Sequence, residues 1–271
     1  MDAIDLKQHS MLSADALAEH HYHLLTRGYS LVTGFLNDKE TATLKAALLK
    51  AIDAYKPTAG VERSYQDRYQ IHDLLGQDIC FARLLEDPRL QQLIAPILGD
   101  SWIMYAATSS SIPPKGTNYS SRIHVDSPRF HLGYTFNMGV IWTLDEYTEQ
   151  NGPLKVLPGS HNSFETPSDE LFEKNCVKVL GPPGSLIIFN ARVFHRTGEN
   201  HTDKWRHSMT MNVCRSFMKQ RMDWVRMLPD SITGQLNAQA RRLIGFDTRL
   251  PSSLEEFFLP EDQRLYKPGQ G

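Results

Sequence analysis

The sequence predicts a mainly β protein, an antiparallel sandwich or jelly roll, with helices packed against one sheet from outside. Helical periodicity is concentrated before Trp102. From there on, short extended runs alternate with Pro- and Gly-rich turns, which is typical of antiparallel sandwiches and jelly rolls. The chain has 271 residues, a length that large β-barrels and sandwiches reach as one unit. A single domain over residues 1–271 is therefore expected.

Three stretches before Trp102 have the apolar spacing of amphipathic helices. The first covers residues 13–27 and stops at Gly28. The second begins at Asn37, with Glu40 in the capping-box position three residues later. The third covers residues 87–99, beginning with Asp-Pro and ending with Gly. The apolar faces of the second and third helices comprise Leu44, Leu48, Ala51 and Tyr55, and Leu90, Leu93, Ile94 and Ile97.

Two of the predicted strands show which side chains share a face. On the strand at 134–144, the period-two rule puts Met138, Val140 and Trp142 on the same side. On the strand at 206–216, the same rule collects a polar face. The predicted strands cover residues 29–32, 102–110, 123–126, 134–144, 154–157, 177–180, 185–189 and 206–216, and the polar face comprises Arg206, Ser208, Thr210 and Asn212.

Composition and charge exclude several classes of function. A net charge of −2 and an isoelectric point of about 6.6 provide no basic field for binding nucleic acid. The N-terminus lacks the pattern of a signal peptide, and no apolar run approaches the length of a membrane span. Three scattered cysteines without a CxxC pair suit a reducing cytosol. We therefore expect a cytoplasmic protein whose partner is a small-molecule substrate, with neither nucleic acid nor membrane as a partner.

A His-x-Asp pair and a distant histidine have the composition of a metal site. His124 and Asp126 stand two apart, so that on an extended strand both side chains lie on one face. His195 follows later in the chain, just past a predicted core strand. Two histidines and one carboxylate form the facial triad that holds non-haem Fe(II) and leaves coordination positions open. By itself the pair is a weak signal, because a hydrogen-bonded surface pair has the same sequence.

Arg206 adds a second indication, because it opens the last predicted strand and heads its polar face. An arginine that points into an apolar barrel wall is costly without an anionic partner. Its planar fork fits a carboxylate with two parallel hydrogen bonds. This predicts 2-oxoglutarate or a similar dicarboxylate as ligand, with an arginine in a surface pair as the alternative. Arg192 and Arg196 are rival cations that lie closer in sequence to His195.

Together these residues and the turns around them resemble a known family, the phytanoyl-CoA dioxygenase (PhyH) family of Fe(II)/2-oxoglutarate-dependent oxygenases. The resemblance covers about residues 25–216 and implies a double-stranded β-helix of the cupin type over that range, followed by a C-terminal extension at 217–271. The motifs that carry it are His124-x-Asp126, Trp142-Thr143-Leu144-Asp145, Glu149-Gln150-Asn151-Gly152-Pro153-Leu154, Pro158-Gly159-Ser160-His161, His195 and Arg206.

The resemblance also implies a reaction and a set of residues. With O2 as oxidant, 2-oxoglutarate would be decarboxylated to succinate and CO2 while an unactivated C–H bond of the substrate is oxidised. Retention of the metal-binding carboxylate favours hydroxylation, with desaturation or ring closure as further outcomes. The implied catalytic metal ligands are His124, Asp126 and His195, and the implied co-substrate residues are Arg206, Ser208, Thr197 and Trp142, the last having core packing as its alternative role.

Substrate contacts are expected from loops and strands beside the metal. The candidates are Arg129, His131, Tyr105 and Tyr134, of which the first two would suit a polar or anionic group. The family context favours a small molecule of specialised metabolism. Two alternatives stay open at this point. One is a cupin-type isomerase, lyase or dioxygenase that binds a metal without 2-oxoglutarate, and the other is a non-catalytic small-molecule binder on the same scaffold.

Overall fold

Two antiparallel sheets form the centre of the molecule. The computed structural model describes residues 4–54, 70–246 and 251–264. In chain order the strands are β1 (Tyr29–Val32), β2 (Ile103–Ile112), β3 (Asn137–Thr143), β4 (Leu154–Val156), β5 (Val177–Val179), β6 (Leu186–Asn190), β7 (His195–Thr197) and β8 (Arg206–Cys214). Five strands form a larger sheet in the order β1-β6-β3-β8-β2, and three form a smaller sheet in the order β5-β4-β7.

The two sheets face each other across an apolar layer. Ile141, Ile187 and Phe189 of the larger sheet share one buried cluster with Leu154 and Val156 of the smaller sheet. The central strand β3 pairs with β6 on one side and β8 on the other, and all of its residues are buried. A strand in this position supplies side chains to both faces of the sheet.

Helices cover the opposite face of the larger sheet. A second buried cluster joins the apolar faces of the N-terminal helices to Met138, Val140 and Trp142 of β3. This confirms the prediction of antiparallel sheets with N-terminal helices against one of them. The helices are α1 (Ala14–Thr26), α2 (Asp38–Ala54), α3 (Leu74–Gln77), α4 (Ile79–Arg83), α5 (Pro88–Leu98), α6 (Asp169–Asn175), α7 (Trp224–Met227), α8 (Asp230–Thr233), α9 (Ala238–Ile244) and α10 (Leu254–Phe257).

Local capping signals explain where the long helices begin and end. Asn37 and Glu40 form a reciprocal capping box, in which each backbone N–H donates to the other side chain at 2.9 Å. Asp87 caps α5 by accepting from the Arg89 N–H at 2.9 Å. Gly99 ends the same helix with a positive φ of 86°, which glycine adopts without steric cost. Each of these contacts lies within one helical turn, so the sequence predicts them correctly.

The segment after β8 packs onto the same core as the sheets. Trp224 is fully buried and belongs, with Leu243, to the cluster between helices and larger sheet. The Asn237 N–H donates to Glu86 Oε1 at 2.8 Å, which ties α9 to the helical layer. In the part of the chain that the structure describes, no helix combines the length and apolarity that a membrane span requires.

The structure differs from the prediction at several local points, and β7 is a strand that was not predicted. Residues 123–126 are not a strand, because only His124 pairs there, through an isolated bridge. β3 begins at Asn137 instead of 134, since Tyr134 closes a turn by donating its N–H to the His131 carbonyl at 3.1 Å. The helices α3, α4 and α6 are at most seven residues long and carry too little periodicity to be predicted. Residues 55–57, predicted to end the second helix, and the tail after 264 lie outside the described residues.

Candidate metal centre

A backbone bridge brings the two distant histidines together. The His124 N–H donates to the His195 carbonyl, and the His195 N–H donates to the His124 carbonyl, both at 3.0 Å. Their ring centroids are consequently 4.3 Å apart. Asp126 is fixed next to them, because its N–H donates to the Ala191 carbonyl at 2.9 Å. Three side chains from two segments that are distant in sequence thus meet at one end of the sheets.

The ligand atoms of these three residues face one another. One atom from each of His124, Asp126 and His195 lies within 4.8 Å of the other two. Asp126 Oδ1 is 3.6 Å from His124 Nε2 and 3.8 Å from His195 Nε2. His124 Nδ1 donates to the Arg122 carbonyl at 2.7 Å, and His195 Nδ1 donates to the Val193 carbonyl at 2.9 Å. Because a carbonyl only accepts, Nδ1 of each ring carries a proton, so that in the neutral imidazole the lone pair of Nε2 is available to a metal.

Burial differs sharply among the three ligands. The side chain of His195 is 6% exposed, whereas those of His124 and Asp126 are 33% and 25% exposed. Burial lowers the pKa of His195, with the Asp126 carboxylate opposing the shift. The neutral imidazole, which is the metal-binding form, is therefore favoured at His195. The site opens to solvent on the side of His124 and Asp126.

A glycine on the central strand makes room for the ring that supports His195. Phe189 packs against the His195 imidazole with ring centroids 4.8 Å apart. Gly139 lies opposite Phe189 in the β3–β6 pairing. A Cβ at position 139 would lie 2.0 Å from Phe189 Cζ, so no larger residue fits without moving this ring. Nothing local in the sequence indicates this contact, because it depends on strand register.

One cavity joins the three ligands to Arg206. Its empty volume, including the open mouth, is about 490 Å³. Side chains of β8 line it beside the His–Asp–His cluster, as the period-two rule predicts for residues on the polar face. The cavity lining includes His124, Asp126, His195, Arg206, Ser208 and Thr197.

Arg206 is a buried cation whose partners are all neutral. Its residue is 2% exposed. Nη1 donates to the Tyr147 hydroxyl at 2.6 Å and to Ser208 Oγ at 2.7 Å, while Nη2 donates to the Gly152 carbonyl at 3.0 Å. Nε has no partner among the described residues. Burial lowers the pKa of the guanidinium, and Tyr147, Asp145 and Tyr119 oppose the shift. Tyr147 and Gly152 are partners that sequence reasoning did not identify.

The rival arginines have other roles. Arg196 pairs with Glu173 at 2.7 Å. Arg192 donates to the carbonyls of Ser127 and Ser163 at 3.4 and 2.9 Å. Neither arginine lines the cavity that contains the ligand cluster.

The implied role of Trp142 beside the co-substrate is wrong in this structure. Trp142 packs with Met138 and Val140 in the cluster between helices and larger sheet, and it is 1% exposed. Its neighbour Ile141 faces the cavity instead. The physical reason is strand alternation, since adjacent residues of β3 point to opposite faces. Trp142 therefore has the alternative role, a core aromatic.

The four predicted substrate residues are not gathered around the ligand cluster. His131 and Tyr134 line a different cavity, which also contacts Leu24 of α1 and Met138 on the helical face of β3. Arg129 is exposed, and Tyr105 lies at the register irregularity of β2. Neither of these two residues lines either cavity. The prediction that all four face the metal pocket is wrong, because His131 and Tyr134 of the loop after Asp126 face α1 and the helical side of β3.

Comparison with known proteins agrees with this geometry. An uncharacterised protein of Mycobacterium tuberculosis is 28% identical over 251 residues, spanning 90% of this chain and 92% of that protein. The protein named ectoine dioxygenase of Sphingopyxis alaskensis is 28% identical over 214 residues, spanning 65% of this chain and 68% of that one. The crystal structure of EctD from S. alaskensis with 2-oxoglutarate and 5-hydroxyectoine superposes with a TM-score of 0.63 at 22% identity, covering 78% of this chain and 81% of that one. The jelly-roll prediction is confirmed by this structural match.

A family model provides the more specific result. The model of the phytanoyl-CoA dioxygenase (PhyH) family matches residues 25–208. That range is more than half of the chain, and it includes the ligand cluster and the arginine that share one cavity. The chain therefore belongs to the phytanoyl-CoA dioxygenase family, whose members are Fe(II)- and 2-oxoglutarate-dependent dioxygenases.

Proposed function

We propose that this protein is an Fe(II)/2-oxoglutarate-dependent hydroxylase of a small molecule. His124, Asp126 and His195 hold the metal, and Arg206 binds the distal carboxylate of 2-oxoglutarate. One observation carries the proposal. A buried arginine, whose hydrogen-bond partners among the described residues are all neutral, lines the same cavity as a cluster of two imidazoles and a carboxylate. We further propose that the whole chain acts as a single dioxygenase domain, with residues 217–271 as an extension of its core.

The donor set fits Fe(II). Two imidazoles, which bind a metal in their neutral form, and one carboxylate form a facial triad of ligands. Such a triad leaves the other coordination positions of the metal open for further ligands. When bound, the iron supplies the activation of O2 that couples decarboxylation of 2-oxoglutarate, to succinate and CO2, with oxidation of a C–H bond. The chain holds the donor atoms in place, since both Nδ1–H groups are engaged by backbone carbonyls.

Arg206 fits a carboxylate of the co-substrate. Its guanidinium is already oriented by the Tyr147 hydroxyl and Ser208 Oγ, so little conformational entropy is lost when the ligand binds. An incoming carboxylate supplies the negative charge that this buried cation lacks. Ser208 and Thr197 add hydroxyl groups to the same cavity, and Thr197 Oγ1 is hydrogen-bonded to Ser120 Oγ.

The substrate approaches from the solvent side of the cluster. His124 and Asp126 form that side, while Arg206 is enclosed in the depth of the cavity. Hydroxylation is the proposed outcome, since the carboxylate ligand is retained at Asp126. Similarity to the protein named ectoine dioxygenase supports a small-molecule substrate. We assign that substrate to specialised metabolism.

Arg206 also discriminates against the cupin-type alternative. A metalloenzyme that does not use 2-oxoglutarate has no need for a buried guanidinium in the metal cavity. The cost of burying that charge would then be uncompensated.

The proposal is tested with purified protein under anaerobic conditions. Addition of Fe(II) and then 2-oxoglutarate should produce a visible absorption band in the wild-type protein, and O2 should then yield succinate. His124→Ala and Asp126→Ala should remove both signals, and Arg196→Leu, which changes a cation outside the cavity, should retain them. Full succinate formation by either triad variant would contradict the proposal, and metal binding without any response to 2-oxoglutarate would favour the cupin-type alternative.

A further inference from the structure

The two oxygens of Asp126 have different partners. Oδ1 faces the metal-binding nitrogens, 3.6 Å from His124 Nε2 and 3.8 Å from His195 Nε2. Oδ2 accepts a hydrogen bond from Asn212 Nδ2 at 3.0 Å. Asn212 is the last residue on the polar face of β8. The carboxylate is therefore held with one oxygen toward the metal position and the other engaged by protein.

The orientation of the Asn212 amide is determined by its partners. A carboxylate oxygen only accepts, so the NH2 group of Asn212 must point to Asp126. Its Oδ1 then points the other way, where it accepts from Asn137 Nδ2 at 2.8 Å. Asn137 donates, Asn212 relays and Asp126 accepts, so the direction of the whole chain of hydrogen bonds is unique. Networks of this kind polarise and rigidify their members.

Stability alone does not account for Asn137. The residue is 3% exposed, and its Oδ1 has no hydrogen-bond partner among the described residues. A buried polar atom without a partner destabilises the folded state. An apolar residue of similar shape at this position of β3 would avoid that cost. The presence of a buried amide at position 137 is explained if its Nδ2 group is needed to orient Asn212.

The backbone fixes the distances in this network. The Ala191 N–H donates to the Asn137 carbonyl at 3.1 Å, and the Ala191 carbonyl accepts from the Asp126 N–H at 2.9 Å. A single residue, Ala191, thus ties Asp126 to the first residue of β3. Pairing of β3 with β8 places Asn137 opposite Cys214 and Gly139 opposite Asn212, so the two asparagines are diagonal neighbours on the cavity face.

We propose that Asn212, oriented by Asn137, is a positioning residue that makes Asp126 a ligand through Oδ1 alone. The inference rests on the proposed metal site. Engagement of Oδ2 prevents the carboxylate from rotating to offer both oxygens to the metal. Three coordination positions then stay open, two for the 2-oxo acid and one for O2. Without the amide, the carboxylate either occupies one of those positions or turns away from the metal.

Titration of the metal-free, full-length protein with Co(II) tests this role without turnover. Asn212→Leu keeps the approximate volume and removes the donor, and it should weaken Co(II) binding about 10–100-fold, as loss of outer-shell partners does at other metal sites. The visible Co(II) spectrum should change as well, because the carboxylate changes its coordination. Asn137→Leu should shift both readouts in the same direction by a smaller amount, while the metal-free protein melts at the same temperature or higher.

A matched control separates positioning from stability. Val213→Ala alters the next residue of β8, whose side chain packs on the helical face. It should lower the melting temperature of the metal-free protein and leave Co(II) affinity and spectrum unchanged. In the Asn212→Leu background, Asn137→Leu should have no further effect on the metal, because its influence passes through Asn212.

Two results would overturn the inference while the proposed function stands. One is wild-type Co(II) affinity and spectrum in Asn212→Leu. The other is additive loss in the double variant. If Asn212→Leu does not fold, Asn212→Ser and Asn137→Leu decide the matter by the same readouts. Failure of the wild-type protein to bind Co(II) more tightly than His124→Ala would instead contradict the metal site itself.

Discussion

The two faces of β8 have opposite chemistry. Side chains on one face line the metal cavity or contact its carboxylate ligand, and they are polar. Side chains on the other face pack among the helices, and most of them are apolar. The cavity face comprises Arg206, Ser208, Thr210 and Asn212, and the helical face comprises His207, Met209, Met211 and Val213.

This difference shows how one strand serves ligand binding and folding at the same time. Period-two alternation separates the two tasks by a single residue. A change on the cavity face removes polar groups that are costly to bury, whereas a change on the helical face removes apolar contacts that stabilise the fold. We therefore expect substitutions on the cavity face to change ligand affinity and substitutions on the helical face to change the free energy of unfolding.

Arg206→Leu should produce the largest effect, on the cavity side only. The variant removes the cation of a buried charge pair, which typically costs 2–5 kcal/mol or more, so 2-oxoglutarate affinity should fall at least about 30-fold. The metal-free protein should be as stable as wild type or more so, since a buried cation with only neutral partners is lost. Calorimetric titration of the Co(II)-loaded protein and urea denaturation measure the two quantities.

The control for Arg206→Leu is Arg196→Leu. Arg196, on β7 of the smaller sheet, pairs with Glu173 of α6 and does not line the cavity. Partly exposed pairs of this kind contribute about 0–1 kcal/mol, so neither quantity should change much. Equal loss of 2-oxoglutarate affinity in both variants would show a general charge effect instead of a specific anchor.

Met209→Ala should produce the reverse pattern. Met209 lies between Ser208 and Thr210 in sequence but is 1% exposed among the helices. Truncation of a buried methionine leaves a cavity and should lower the free energy of unfolding by about 2–5 kcal/mol. Affinity of the folded protein for 2-oxoglutarate should be unchanged. A parallel fall in stability and affinity would mean that the two faces are not separable.

Much of this arrangement could be predicted from local patterns in the sequence. Alternation along β3 and β8 correctly separates Met138 and Val140 from residues of the cavity, and it puts Arg206 and Ser208 on one face. Capping signals locate the ends of the long helices for the same reason, since their partners lie within a few residues. The prediction of the triad depended mostly on the resemblance, because an isolated His-x-Asp pair is common.

What the sequence could not predict depends on contacts between distant segments. Asn212 is on the predicted polar face, yet nothing local indicates that it reaches Asp126. Tyr147 and Gly152 contact Arg206 from a loop whose path follows from sheet packing. Trp142 shows the opposite error, in which a role carried over from the resemblance conflicted with the orientation of its own strand. Strand register, which sets all of these contacts, is a property of the folded sheet.

A pH-dependent effect is expected from the one ionisable residue on the helical face of β8. His207 Nδ1 is 2.8 Å from Ser111 Oγ, and burial lowers the pKa of this histidine to about 4, against the opposing charge of Asp145. An unfolded histidine titrates near 6.5, so the unfolded state binds more protons between these two values. Stability should consequently fall as the pH is lowered from about 6.5 toward 4.

His207→Gln isolates this contribution. Glutamine can still bond Ser111 but does not titrate, so the free energy of unfolding should decline less steeply across the same pH window. The remaining histidines titrate alike in both proteins, which makes the difference in slope specific to position 207. Urea denaturation at several pH values between about 4 and 7 measures it. Superimposable slopes would mean that position 207 takes up its proton without cost, and that this part of the helical face tolerates charge as the cavity face does.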